Sequence, residues 1–316
     1  MGMKAKTIKL VLANKLDEWL TSIEDEAVKK VIKQNAIITG GSIASMLLGE
    51  PVNDYDVYFR TKEAALTVAR YYLGRFNPKR RNGIPLRIAL IEEEDRIKIK
   101  VKSAGVASEE GTDKPYEYFE SRAEGEAGRY IDEIMSDPAD IADTKETLTE
   151  AAQSTEDEPG KPPYRPIFIS TNAISLSHRV QLIMRFYGEP DELHTNYDYV
   201  HCTNYWTAWD NKLVLRPEAL ESLLSKELRY IGSKYPICSI LRLRKFLKRD
   251  WTINAGQILK MTMQISKLNL EDYKVLEDQL TGVDVAYFCE MIHKLHDKDP
   301  NKVNAAYLVE IIDRMF

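Results

Sequence analysis

Between Ala36 and Arg60 the chain reads AIITGGSIASMLLGEPVNDYDVYFR. A branched apolar run stops at two glycines, an apolar octet stops at Gly49, and an aromatic, branched run follows almost at once. That order predicts strand, tight turn, short helix and second strand. The connections are so short that the glycine corner and the start of the second strand must lie close together. The spacing of Asp54 and Asp56 matters for the same reason. Residues two apart on a strand project from one face, so both carboxylates reach the same small region. The same spacing recurs at Asp297 and Asp299, but beside Pro300 in a polar stretch, where it reads as a structural turn.

Two hard oxygen ligands on one face suit Mg²⁺ or Mn²⁺, completed by water and substrate phosphate. Gly40, Gly41 and Ser42 stand between the first strand and the helix start, where close backbone approach and a helix amino terminus favour a phosphate. A capped turn is the plainer reading of GGS alone. The two features together point to a metal-bound triphosphate.

The rest of the chain fixes the setting. Of its 316 residues, 44% are hydrophobic and 29% charged, the balance of a globular protein long enough for two domains. No apolar run reaches the roughly 18 residues a membrane span needs, and the charged start MGMKAKTIK leads into an amphipathic helix, so a cytoplasmic protein with no membrane partner is expected. Cys202, Cys238 and Cys289 are odd in number and widely spaced, as reduced, buried thiols would be. The net charge of -5 is uneven. Ala107 to Gly160 holds seventeen acidic and four basic residues, leaving 40 Lys+Arg against 32 Asp+Glu elsewhere. An acidic, partly disordered insertion at about 103–163 is therefore expected within a basic body.

A helix is expected from Asn14 to Lys33, then strands at AIIT and YDVYF, and a helix from Thr61, which should cap it. Further strands are expected at LRIALIE, RIKIKVK, PIFIS, RVQLIMRF and YDYVHC. From Pro217 the pattern is helical: RPEALESLLSK, PICSILRLRKFLKR, AGQILKMTMQI and three further segments up to Met315. The expected class is α+β, with a mixed-sheet head over 1–215 and an all-helical neck or body over 216–316. His178, His194 and His201 are scattered and read as structural.

GGSIASMLLGEPVNDYDV resembles the signature of the DNA polymerase β-like nucleotidyltransferase superfamily, in particular the CCA-adding enzyme and bacterial poly(A) polymerase branch, whose motif runs GGxVRDxLLGRxxxDxDL. The glycines, LLG and both aspartates fall in register without a gap. Ala44 and Ser45 replace the motif's Arg-Asp pair, and Glu50 its later arginine. Downstream, ELHTNYDYVHCTNY resembles the position of the RRDFTINA motif, with Asp198 over its aspartate and Tyr199 over its phenylalanine, both arginines being absent. LRLRKF sits where the branch has LRAxRF, but the residues before it that pair with the incoming base in CCA-adding enzymes are replaced. KRDWTINAG matches RRDFTINA by letter but follows the arginine helix, the wrong order for that motif.

The resemblance implies in-line transfer of NMP from an NTP with release of pyrophosphate. Asp54 and Asp56 would be metal ligands and catalytic residues. Asp198 is the candidate third carboxylate, since Gln181 and the lysine face of RIKIKVK occupy other strands that could have carried it; a structural partner for an arginine is the other reading of Asp198. Gly40, Gly41, Ser42, Arg242 and Lys245 would bind the nucleotide. An RNA 3′ end is the leading acceptor, transfer RNA among the candidates. A protein or small-molecule hydroxyl is the second acceptor class, and a catalytically silent RNA- or protein-binding descendant is the third reading. Base choice and oligomeric state are not legible in the sequence.

Overall fold

A computed structural model describes residues 2–75, 88–92, 96–101, 163–169 and 172–270, with 272, 275 and 279. The acidic insertion up to residue 162 and the last two expected helices lie outside the described residues, as does Cys289, and of the segment EDYKVLEDQL only 272, 275 and 279 are described.

The chain opens with two helices, α1 (Ala5–Thr21) and α2 (Glu26–Asn35), where one was expected from Asn14 to Lys33. The apolar spacing is continuous, but the Asp25 carboxylate accepts from the backbone N–H of Ala27 and Val28 and so starts a new helix. Then come β1 (Ala36–Thr39), α3 (Gly41–Leu48), β2 (Tyr55–Phe59) and α4 (Lys62–Arg75). The α4 start is capped by Thr61 Oγ1, which accepts from Ala64 N at 3.1 Å. A separate antiparallel hairpin joins β3 (Ile88–Glu92) to β4 (Ile97–Val101), with Ile97 and Ile99 buried. After the insertion follow β5 (Pro166–Ile169), β6 (Ala173–Leu176), β7 (Val180–Tyr187), α5 (Pro190–His194), β8 (Tyr205–Thr207) and β9 (Lys212–Val214).

Seven strands form one mixed sheet in the order β5-β6-β7-β2-β1-β8-β9. Only the β2–β7 pair is parallel within it. One face, with Ile38, Val57, Phe59, Leu182, Met184 and Trp206, packs under α1, α2 and α4 through Leu12, Trp19, Ile32 and Val68. The alternate residues Ile37, Tyr58, Ala173 and Ile183 face the other way and meet Leu193 of α5 and Tyr197. Asp56 shares the parity of Tyr58, so it belongs to this second face.

The carboxy-terminal part holds α6 (Pro217–Ser225), α7 (Pro236–Leu247) and α8 (Ala255–Ile265), as the periodicity predicts. It is not all helical: β10 (Glu227–Leu228) and β11 (Thr252–Ile253) form a short parallel pair. A second core of Leu223, Leu228, Tyr230, Trp251 and Met261 packs against Tyr199 and against Ala44, Leu47 and Leu48 of α3. The helix that begins at the glycine corner is thus gripped from both sides.

Candidate nucleotide site

Gly40 has φ 91° and ψ -145°, a backbone state that only glycine adopts without strain. It lets the chain leave β1 and enter α3 in a single residue. No side chain caps α3, so its first turn presents backbone N–H groups uncovered by any capping group. Gly41 is exposed, and a Cβ there would meet nothing within 4 Å. Ser42 is 2% exposed and its Oγ has no hydrogen-bond partner.

A Cβ built on Gly40 would stand 3.3 Å from Asp56 Oδ2 and 3.6 Å from Tyr197 Oη. The second aspartate therefore faces the glycine corner. Asp56 is half-buried at the start of β2; Asp54, two residues earlier, is exposed and precedes the first residue of the strand, so the alternation of β2 does not extend to it. Across the parallel pair Asp56 is in register with Gln181 of β7, which in turn pairs with Ser175 of β6, so an amide occupies the neighbouring strand position. The lysine-bearing β4 is outside this sheet.

The segment around Asp198 is not a sheet strand. Tyr199 makes one isolated antiparallel bridge with Tyr230, and Val200–Cys202 is a 3₁₀ turn. Alternating aromatics suggest a strand, but this run is held by Val200 N donating to the Arg229 carbonyl, by the Asp198 carbonyl accepting from Ile231 N, and by an aromatic cluster of Tyr199, His201, Phe246 and Trp251. The Asp198 carboxylate turns to α7. Ser239 Oγ donates to its Oδ1 at 2.9 Å, and Arg242 pairs with its Oδ2. Arg249 likewise pairs with Glu50, the residue standing where the motif has arginine. Both oxygens of the expected third carboxylate, and the guanidinium of the expected nucleotide ligand Arg242, are thus engaged with each other or with Ser239. Arg244 and Lys245 are exposed on the same helix, and Lys248 is exposed at its C-cap. KRDWTINAG does not reach the main sheet: Thr252 and Ile253 pair with β10, and Asn254 caps α8.

Among the described residues, no group of three or more His, Cys, Asp or Glu side chains could hold a metal. At the corner stands the Asp56 carboxylate beside an uncapped helix start and an unsatisfied hydroxyl, with Asp54 two residues before it in the chain. Mg²⁺ commonly takes one or two protein carboxylates and completes its shell with water and phosphate oxygens, so these residues fit it together with a polyphosphate.

Two histidines frame the corner. Thr39 Oγ1 gives its one proton to the Asn204 carbonyl at 2.9 Å, so His194 Nε2, 2.9 Å away, donates to it and His194 Nδ1 is left bare. Burial, then the Arg216 charge, lowers the His194 pKa to about 4; burial, then Arg249, lowers that of His201 to about 3. Both are neutral structural groups near neutral pH. Burial, reinforced by the Asp198 and Asp56 charges, raises the Cys202 thiol to about 12, so it stays protonated. Tyr58 and Tyr197 are pushed above the usual phenol range, first by burial, with Asp56 adding to the effect. Tyr197 was not singled out by the sequence; its signal is only that it precedes Asp198 in the second motif.

A cavity of about 570 Å³ lies elsewhere, between the start of α1 and the β8–β9 turn, lined by Lys6, Lys9, Asp210 and Lys212 among others. None of the candidate site residues borders it. No helix among the described residues is long and apolar enough to cross a membrane.

A sequence model described as "Gabija anti-defense 2 family protein" matches residues 10–226. The Gabija anti-defense 2 protein of Bacillus phage SPbetaL7 is 20% identical over 125 residues, covering 39% of this chain and 31% of that protein. Among solved structures, the Thermotoga maritima CCA-adding enzyme complexed with tRNA is 11% identical with a TM-score of 0.37, covering 90% of this chain and 56% of the enzyme. The Bacillus stearothermophilus CCA-adding enzyme in complex with CTP is 11% identical with a TM-score of 0.37, covering 89% of this chain and 51% of that one. The chain thus spans about half the length of these enzymes and a third of the phage protein. With the family match extending from α1 through α6, well over half of its length, this protein belongs to the Gabija anti-defense 2 family.

Proposed function

We propose that this protein is a divalent-metal-dependent nucleotidyltransferase that counters a Gabija-type defence by transferring NMP from an NTP to a hydroxyl on a protein. The observation that carries the reading is the Asp56 carboxylate facing the Gly40 corner at the uncapped start of α3. The unbroken register of the glycines, LLG and both aspartates with the nucleotidyltransferase signature supports it, and the family's description supplies the biological setting.

In this reading the α3 amino terminus and the Ser42 hydroxyl receive phosphate oxygens, using backbone N–H groups and the helix dipole. Gly41 keeps the approach open, since no side chain stands over it. Asp54 and Asp56 hold Mg²⁺ or Mn²⁺. When bound, such ions lower the charge on the triphosphate and on the leaving pyrophosphate. The acceptor oxygen forms a bond to the α-phosphorus, the bond from that phosphorus to the bridging oxygen breaks, pyrophosphate leaves and the acceptor proton passes to solvent. The protein positions and neutralises rather than forming covalent bonds itself. Asp198 is a structural anchor for α7.

A protein acceptor is favoured over RNA because Arg242 and Arg249 are engaged in ion pairs with Asp198 and Glu50, which shortens the basic track α7 could offer a phosphate backbone. The RNA 3′-end reading draws on the exposed Arg244, Lys245 and Lys248. The full chain with Mg²⁺, each labelled NTP and either purified Gabija proteins or bulk RNA separates the two. Label on protein supports the first reading and label on RNA the second; no label on either points to a catalytically silent binding protein. Replacing both Asp54 and Asp56 with alanine abolishes transfer. Transfer that survives this change rules out the site.

A further inference from the structure

Three buried polar atoms crowd the glycine corner without a well-formed hydrogen bond: Ser42 Oγ, His194 Nδ1 and Tyr197 Oη. An unsatisfied buried polar group costs about 1–3 kcal/mol, so native proteins rarely keep several in one place. Where they do, the groups commonly await something that the unliganded state lacks. Ser42 is already accounted for as a phosphate contact, and His194 already bonds Thr39 through its other nitrogen. Tyr197 has no role in the reading above.

Its position is tightly set. The Glu189 and Glu192 capping box and Pro190 start α5, and the chain then turns so that Tyr197 N donates to His194 O at 3.1 Å. The phenol ring packs edge-on against His194 at 4.9 Å between centroids and tilted against Tyr58 at 6.1 Å. The hydroxyl comes near the Tyr58 and Thr39 hydroxyls without good bonding geometry to either. It ends on the side of Gly40 that Asp56 Oδ2 also overlooks. A phenol that stays protonated is a donor, and the carboxylate on its side of the corner is that of Asp56.

We propose that Tyr197 is a positioning residue for Asp56: its hydroxyl donates to the carboxylate when Asp56 takes up a divalent cation, fixing the oxygen that faces the metal. Ligating carboxylates are usually held by such outer donors, and losing one typically weakens metal binding about 10- to 100-fold. The inference rests on the metal-dependent reading above. It also makes a prediction of opposite signs. Because the hydroxyl is unsatisfied without metal, Tyr197→Phe removes a penalty from the metal-free protein while removing a donor from the metal-bound one.

The test uses the full chain with Mn²⁺ and a non-hydrolysable ATP analogue. Bound Mn²⁺ is read by electron paramagnetic resonance, and Tm is measured without metal. Wild-type protein binds Mn²⁺, and Asp56→Ala abolishes binding. Tyr197→Phe weakens binding about 10- to 100-fold, with Tm unchanged or raised by about 2–4 °C. If the wild type binds no Mn²⁺, the underlying metal-dependent reading falls. Should the wild type bind, Asp56→Ala fail to bind and Tyr197→Phe bind within twofold of wild type, only the role of Tyr197 falls. A Tyr197→Phe protein that loses affinity and Tm together marks a packing residue and also overturns the assignment.

Discussion

Gly40 and Gly41 are adjacent in sequence and unlike in physics. At Gly40 the positive φ excludes a side chain on backbone grounds, and a Cβ would also press on Asp56 Oδ2. Gly41 lies in α3 with open space around it, where alanine is intrinsically the better helix former. Gly40→Ala is therefore expected to lose about 2 kcal/mol of stability in urea unfolding, whereas Gly41→Ala holds or gains a few tenths. A Gly41→Ala protein that is equally destabilised would mean that α3 does not begin where it is placed. The sequence marks both glycines as a turn but does not distinguish them, because both sit between a strand and a helix pattern. The distinction comes from the angle at which β1 must hand over to α3.

At the scale of elements, α7 illustrates how a pattern can be read correctly and its use misjudged. Its length and its basic run are legible from apolar spacing and composition. The partners of that run are not, since Asp198 and Glu50 reach it through folding of the distant head. The two ion pairs differ in environment. Asp198 is buried, its side chain 6% exposed, while Arg242 is 37% exposed; Glu50 and Arg249 both have substantial solvent access. Arg242→Ala leaves a buried carboxylate with only Ser239 and is expected to cost about 2–3 kcal/mol. Arg249→Ala is expected to cost no more than about 1 kcal/mol, since solvent screens the lost pair. Denaturant midpoints of the two variants check the order; equal losses would contradict it. The mistaken strand at YDYVHC has the same origin. Aromatic alternation looks alike whether the side chains face a sheet or, as here, a cluster of rings beneath a helix.

For the molecule as a whole, the neutral, buried His194 and His201 link stability to acid. Their folded pKa values, about 4 and about 3, lie below the ordinary 6.5 of an unfolded chain. Between these limits the unfolded state binds more protons, so stability falls as pH drops from about 6.5 toward 4. By pH 5 each histidine is expected to have removed about 2 kcal/mol. Urea midpoints measured at pH 7 and pH 5 should show that decline, and a flat profile would mean that the two imidazoles are hydrated in the folded state. The residues involved connect β1, α5, the 3₁₀ turn and α7, so their protonation loosens the site and the second core together.

What the sequence determined alone is what depends on near neighbours: the strand and helix pattern around the glycine corner and the three helices after Pro217. These follow from side-chain period, turn chemistry and capping, which act over a few residues. Tertiary structure decided the rest. It set Asp56 against Gly40, placed Gln181 beside it, brought Tyr197 to the same corner, and tied Asp198 to Arg242 across 44 residues and Glu50 to Arg249 across 199. Such partnerships are selected by the packing of a whole core around each group, and the chemistry at the corner depends on them because a carboxylate acts according to the groups that face it.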